Sequence, residues 1–88
     1  MTYRIEFEPK AERWLTKQPA DVRRRVGEKI AALAENPRPN GVAKLQGQSQ
    51  PFYRIRIGDY RVVYAIEDDR LIILVVAVGN RRDIYRGY

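Results

Sequence analysis

The chain opens with strict alternation: Tyr3, Ile5 and Phe7 are apolar, while Arg4 and Glu6 between them are charged. Period two marks a strand with one buried face, so residues 2–7 are predicted to be extended. The period then changes. Pro9 fits the first turn of a helix, where its missing N–H costs nothing, and Glu8 stands near the positive end of that helix. Ala11, Trp14 and Leu15 are spaced to share one helical face, and Gln18-Pro19 breaks the helix and opens a second. Across residues 20–35, Val22, Val26, Ile30 and Leu33 fall at i, i+4, i+8 and i+11, an amphipathic stripe. Arg23, Arg24, Arg25, Glu28 and Lys29 lie mostly outside that stripe and read as a solvated helix face. Asn36-Pro37-Arg38-Pro39-Asn40-Gly41 stops the second helix, which leaves the two as a helical hairpin.

Alternation returns at residues 52–57, and Gly58-Asp59 is a two-residue hairpin signal that residues 60–66 answer. Glu67-Asp68-Asp69-Arg70 makes the next turn, and residues 71–78 are apolar on both faces, the mark of a central strand covered on both sides. With no repeat, low-complexity tract or linker, residues 1–88 read as one domain. Its class is α+β and its order βααβββ: a helical hairpin packed on one face of a small, largely antiparallel four-stranded sheet.

Register turns this pattern into chemistry. A two-residue turn at Gly58-Asp59 pairs Ile57 with Tyr60, Arg56 with Arg61, Ile55 with Val62 and Arg54 with Val63. Paired residues share a face, as do residues two apart on one strand. Arg54, Arg56 and Arg61 therefore share one face, expected to be open, while Ile55, Ile57, Tyr60 and Val62 share the face against the helices. Like charges directly across a sheet repel, so stability alone does not explain Arg56 opposite Arg61. Nor are carboxylates at hand: between positions 36 and 66 the only acid is Asp59, against five basic residues. This reads as an anion site. A two-residue turn at Asp68-Asp69 would put Ala77 opposite Tyr60, and Gly79-Asn80-Arg81 near the Gly58-Asp59 end of the sheet. Tyr85 follows, its ring either stacked on a base or folded back onto the core.

Composition agrees with an anion-binding role and excludes others. The formal charge is +6 over 88 residues, a field that favours nucleic acid, an anionic membrane or an acidic protein. The chain has neither cysteine nor histidine, so disulfides, thiolate metal sites and the commonest zinc ligand are missing, along with the only side chain that titrates near neutrality unperturbed. A domain this short buries only about 60–65% of its unfolded surface, which leaves a thin stability margin. The first six residues lack the apolar run of a signal peptide, and the eight apolar residues at 71–78 fall far short of the roughly 20 that span a bilayer. A soluble, cytoplasmic protein without membrane attachment is expected.

Three stretches, in order, resemble the RelE toxins of the RelE/ParE toxin–antitoxin superfamily. They are Lys44-Leu45-Gln46-Gly47, then Tyr53-Arg54-Ile55-Arg56-Ile57-Gly58-Asp59-Tyr60-Arg61-Val62-Val63-Tyr64, then Val78-Gly79-Asn80-Arg81-Arg82-Asp83-Ile84-Tyr85. The opening strand and helices and the Asn36-Pro37-Arg38 break also fit, so the likeness covers nearly the whole chain and implies a RelE-like fold. It further implies an endoribonuclease that enters the ribosomal A site and cuts messenger RNA by attack of a ribose 2′-hydroxyl on the adjacent phosphate, without metal or other cofactor. In that pattern Arg54 and Arg56 would hold the phosphate and help remove the 2′ proton. Arg61 would stabilise charge on phosphorus, Arg81 would sit by the leaving 5′ oxygen, and Tyr85 would stack on a base; Lys44 and Arg82 would join these in holding RNA. The partners implied are ribosome and mRNA, a cognate RelB-like antitoxin that is acidic and partly disordered, and operator DNA for the toxin–antitoxin complex.

The sequence departs from the family pattern in places. Arg54 and Arg56 replace lysines of the best-known members, Asn80 stands where many relatives have histidine or lysine, and the sequence stops at Tyr88, short of the C-terminal helix some carry. Arginine keeps its proton and is a poor general base, so slow or absent cleavage away from the ribosome is expected. Two other functions go with the same fold: a ParE-like inhibitor of DNA gyrase that cuts nothing, and a catalytically weak RNA-binding relative.

Overall fold

The computed structural model describes residues 2–45 and 51–80. Strand β1 (Arg4–Phe7) leads into helix α1 (Pro9–Thr16) and helix α2 (Ala20–Ala32). Strands β2 (Ala43–Leu45), β3 (Phe52–Ile57), β4 (Tyr60–Glu67) and β5 (Ile72–Asn80) follow, and all five strands form one sheet in the order β1-β5-β4-β3-β2. β1 runs parallel to β5 and every other neighbouring pair is antiparallel. The α+β class and the helical hairpin on a largely antiparallel sheet are as expected, but the sheet has five strands rather than four. The additional strand, β2, is three residues long, too short for alternation to register, and it exists because β3 offers it a ladder from Phe52 to Arg54.

Pro9 opens α1 as expected, and the apolar stripe of α2 goes inward: Val26 is fully buried, with Ile30 and Leu33 almost so. This stripe packs on Ile55, Ile57, Val62, Tyr64, Ile73, Val75 and Val78, the helix-facing side of the sheet. Trp14 meets the Tyr60 ring edge-on, with ring centres 5.7 Å apart. At the far end, Asp68 accepts hydrogen bonds from the Tyr3 hydroxyl at 2.6 Å and from Arg38 Nη2 at 3.1 Å. Arg38 lies over the Tyr53 ring, Tyr53 stacks on Tyr64, and the Tyr64 hydroxyl donates to the Pro37 carbonyl at 2.7 Å. These contacts tie the segment after α2 to the β4–β5 turn and to the chain start.

The β3–β4 register is the one the Gly58-Asp59 signal predicts, from Ile57↔Tyr60 through Arg54↔Val63. Gly58 alone takes positive φ there, at 60°, the pattern of a type II′ turn with glycine first. The β4–β5 register differs from expectation by three residues: Asn80, not Ala77, lies opposite Tyr60. Two features account for this. Pairing closes at Glu67↔Ile72, so the turn holds four residues, with Leu71 in the left-handed region at φ 54°. One more residue is lost at a bulge, where Tyr64 pairs with Val75 but Val63 pairs with Ala77. The bulge flips the phase of the strand and sends Val78, rather than Ala77, into the core.

Candidate nucleic-acid interface

Arg54, Arg56 and Arg61 lie on the side of the sheet away from the helices, as the register requires. Arg56 and Arg61 face each other directly. In a two-residue hairpin the closing pair is hydrogen-bonded and the next is not, so this pair belongs to the closer kind, with Cα atoms about 4.5 Å apart. Among the described residues the ion pairs join Arg4 to Glu6, Arg38 to Asp68 and Arg70 to Glu67, and none neutralises Arg56 or Arg61. Arg56 is exposed and Arg61 half-buried, while Arg54 is half-buried with its Nε withdrawn from solvent. The face is not open throughout, however. Val63 and Ala65, between the arginines and the β4–β5 turn, are fully buried, so among the described residues the exposed cationic surface of this face lies at the hairpin end.

The remaining site residues divide. Gly79 lies opposite Arg61, which brings the end of β5 beside the arginine pair as expected. Lys44 pairs with Tyr53, and Tyr53 belongs to the helix-facing side; Lys44 is exposed on the opposite face from the three arginines. Arg81, Arg82 and Tyr85 lie outside the described residues. Two cations assigned to a solvated helix face prove to be close to the sheet. A Cβ on Gly58 would lie 3.0 Å from Arg25 Nη2, so the Arg25 guanidinium rests on the hairpin tip. Lys29, one turn further along α2, borders with Arg54 and Arg56 a cavity of about 600 Å³. The only sequence signal for either was their i, i+4 spacing, which says nothing of what lies opposite.

Chemically, this end of the molecule concentrates fixed positive charge. Guanidinium forks match phosphate oxygens bidentately and stay charged at any physiological pH. They cannot take up a proton near neutrality. Among the described residues no three of Asp, Glu, His or Cys converge as metal ligands would, and no helix is long and apolar enough to cross a membrane.

Residues 5–85 match the family model described as the ParE toxin of type II toxin–antitoxin systems. The chain belongs to this family. Within it, the likeness is to RelE-type toxins. The chain is 29% identical to the mRNA interferase toxin RelE of Escherichia coli (strain K12) over 82 residues, 92% of this chain and 85% of that protein. It is 32% identical to a putative RelE-like toxin protein of Escherichia coli over 88 residues, covering 97% of this chain and 92% of the relative. In three dimensions it is similar to the archaeal RelE–RelB complex from Pyrococcus horikoshii OT3, with a TM-score of 0.80 and 31% identity over 94% of this chain and 99% of the other. The toxin–antitoxin complex RelBE2 of Mycobacterium tuberculosis gives a TM-score of 0.79 and 26% identity, covering 92% of this chain and all of the other. This chain is a RelE-type toxin of the type II class.

Proposed function

We propose that this toxin is a ribosome-dependent mRNA endoribonuclease, and that its arginine face binds and activates the scissile phosphate. The observation that carries the reading is the Arg56–Arg61 pair, two like charges held face to face without a carboxylate among the described residues, in a chain related to an mRNA interferase. In the reaction the ribose 2′ oxygen attacks the adjacent phosphorus, the 2′ proton leaves, and the bond from phosphorus to the 5′ oxygen breaks. The products are a 2′,3′-cyclic phosphate and a 5′-hydroxyl end. Arg54 and Arg56 hold the non-bridging oxygens, and Arg61 stabilises the added charge on the pentacoordinate phosphorus. Arg81 serves the leaving oxygen, Tyr85 stacks on a base to align the 2′ oxygen, and Arg82 holds the strand. Lys44, on the other face, contacts RNA away from the reacting phosphate. Because arginine does not accept the 2′ proton, the protein contributes charge and alignment; the 2′ proton passes to water or ribosomal RNA, and water or ribosomal RNA returns one proton to the departing 5′ oxygen. This division of labour makes the ribosome part of the catalyst.

A basic toxin of this class is held in check by a cognate antitoxin, an acidic, partly disordered chain that folds over the cationic face. The complex of the two chains binds its own operator DNA. The test is a translating extract with mRNA ends mapped by primer extension. Cuts positioned on codons are expected, with Arg61→Ala and Arg81→Ala each reducing them by about 10²–10³-fold, the scale of one lost transition-state donor. Uncut mRNA together with relaxed plasmid DNA would overturn the reading in favour of gyrase inhibition; uncut mRNA with retained RNA binding would leave a binding module.

A further inference from the structure

The cavity beside Arg54 and Arg56 owes its existence to the way β2 leaves β3. Pairing between these strands runs from Leu45↔Phe52 to Ala43↔Arg54 and stops. Gly41, with φ at +87°, turns the chain away before it can face Arg56. The Gly58-Asp59 hairpin directs the main chain of Ile57 and Ile55 toward β4, so alternation points the Arg56 N–H and C=O toward the vacated side. The space left between β3, the end of α2 and the turn at residues 36–41 is about 600 Å³.

Its lining combines three kinds of group. Leu33 and Ile55 give an apolar floor. Asn36 and Asn40 supply amides, and the Asn36 side-chain Oδ1 already accepts the Arg38 backbone N–H at 3.3 Å, which leaves its NH₂ as a donor. Lys29 and Arg56 supply positive charge at the rim, and among the described residues no carboxylate lines the cavity. Arg25, about 6 Å before Lys29 along the helix, continues the charge to the hairpin tip. A phosphate needs only the cations and would leave the two amides and the apolar floor unused. A nucleobase needs a flat apolar surface and hydrogen-bonding groups at its edge, with cations nearby for its phosphate.

We propose that this cavity is a nucleotide subsite, which receives one base of a single RNA strand whose neighbouring phosphate lies on Arg54 and Arg56. The proposal rests on the reading of the arginine face as an RNA interface, and it assigns Lys29, Asn36 and Asn40 to RNA recognition. These side chains select among nucleotides; they do not take part in bond breaking.

The test uses the full chain, labelled with ¹⁵N and titrated separately with adenosine 5′-monophosphate, uridine 5′-monophosphate, inorganic phosphate and an acidic hexapeptide. Either nucleotide is expected to shift the Gly41 and Ile55 amides and the Asn40 side-chain amide, and to bind about tenfold more tightly than phosphate. Lys29→Ala and Asn40→Ala are each expected to weaken nucleotide binding about fivefold while the rest of the spectrum stays dispersed. Lys10→Ala on α1 serves as the control that changes nothing. Equal affinity for phosphate and nucleotide overturns the proposal, as does tighter binding of the peptide, or shifts confined to other surfaces. The translating extract separates this idea from the one beneath it. Nucleotide binding at these amides without any mRNA cutting would defeat the endonuclease reading and leave the subsite standing. Normal cutting, with codon preference and nucleotide affinity unchanged in Lys29→Ala and Asn40→Ala, would defeat the subsite alone.

Discussion

If the Arg56–Arg61 pair is kept for function at a cost in stability, neutralising either arginine must make the fold more stable. Arg56→Gln and Arg61→Gln each remove one charge while keeping most of the side-chain length. The two residues form a directly facing, non-hydrogen-bonded pair, which sets the Cα atoms about 4.5 Å apart. Long side chains free to splay put the charges on the order of 7 Å apart, the separation taken for the Coulomb energy. Two unit charges at about 7 Å repel by roughly 0.6 kcal/mol in water and about 1.2 kcal/mol at half that dielectric constant. Measured cross-strand pairs fall in a similar range, about 0.2–1 kcal/mol. Each single variant should therefore gain about 0.5–1 kcal/mol, roughly 2–8 °C in a domain of this size. Urea and thermal unfolding at about 20 mM and about 500 mM salt would check this, since screening at the higher salt should erase most of the gain. The double variant is diagnostic. Either single change already removes the repulsion, so the double should be no more stable than the better single. Loss of stability in both singles at low salt, or a double whose gain equals the sum of the two, would refute the argument. The same variants should lose mRNA cutting, a stability–activity trade in the expected direction.

Other expectations concern the scaffold. Tyr64→Phe strands the Pro37 carbonyl that the hydroxyl serves at 2.7 Å and should cost about 1–2 kcal/mol in urea unfolding, with cleavage retained. Gly58→Ala forces a side chain into φ 60°, where the Cβ also meets the movable Arg25 guanidinium; about 1–2 kcal/mol should be lost, chiefly through the backbone. Burial pushes the Tyr64 hydroxyl up to about 12, so its contribution to stability is complete below about pH 10 and is lost as pH rises toward 12. Absorbance titration of the six tyrosines should show a late-ionising group that Tyr64→Phe removes. At the other extreme, hydrogen bonds from Arg38 first and Tyr3 second hold the Asp68 carboxyl below the usual range. Its contribution is present above about pH 4 and disappears as pH falls through the depressed value, so Asp68→Asn should flatten the acid limb of a stability–pH profile.

The elements and the central hairpin were legible in the chain because each is governed by neighbours in sequence. The spacing of Val22, Val26, Ile30 and Leu33 settles the buried face of α2. Gly58-Asp59 is tight enough to fix register on both sides, which placed Arg54, Arg56 and Arg61 on one face without any tertiary information. Register was lost where local chemistry is permissive. Nothing in Glu67-Asp68-Asp69-Arg70 announces that Leu71 will adopt positive φ, or that β5 will bulge after Val75; the demand that Val78 rather than Ala77 enter the core decides it. β2 was invisible for a related reason, since three residues become a strand only against a partner already in place. That pairing also turns Lys44 to the face away from the arginines. Arg25 and Lys29 were readable as exposed, but what they are exposed to depends on how α2 lies across β3. Sequence by itself determined the arginine face and the scarcity of acids between positions 36 and 66. Tertiary packing decided how much of that face stays open, burying Val63 and Ala65 and leaving the charge concentrated at the hairpin end. The physical division is one of range: turn chemistry and periodicity act over a few residues, whereas burial and convergence follow from elements that meet only once the sheet and helices have packed.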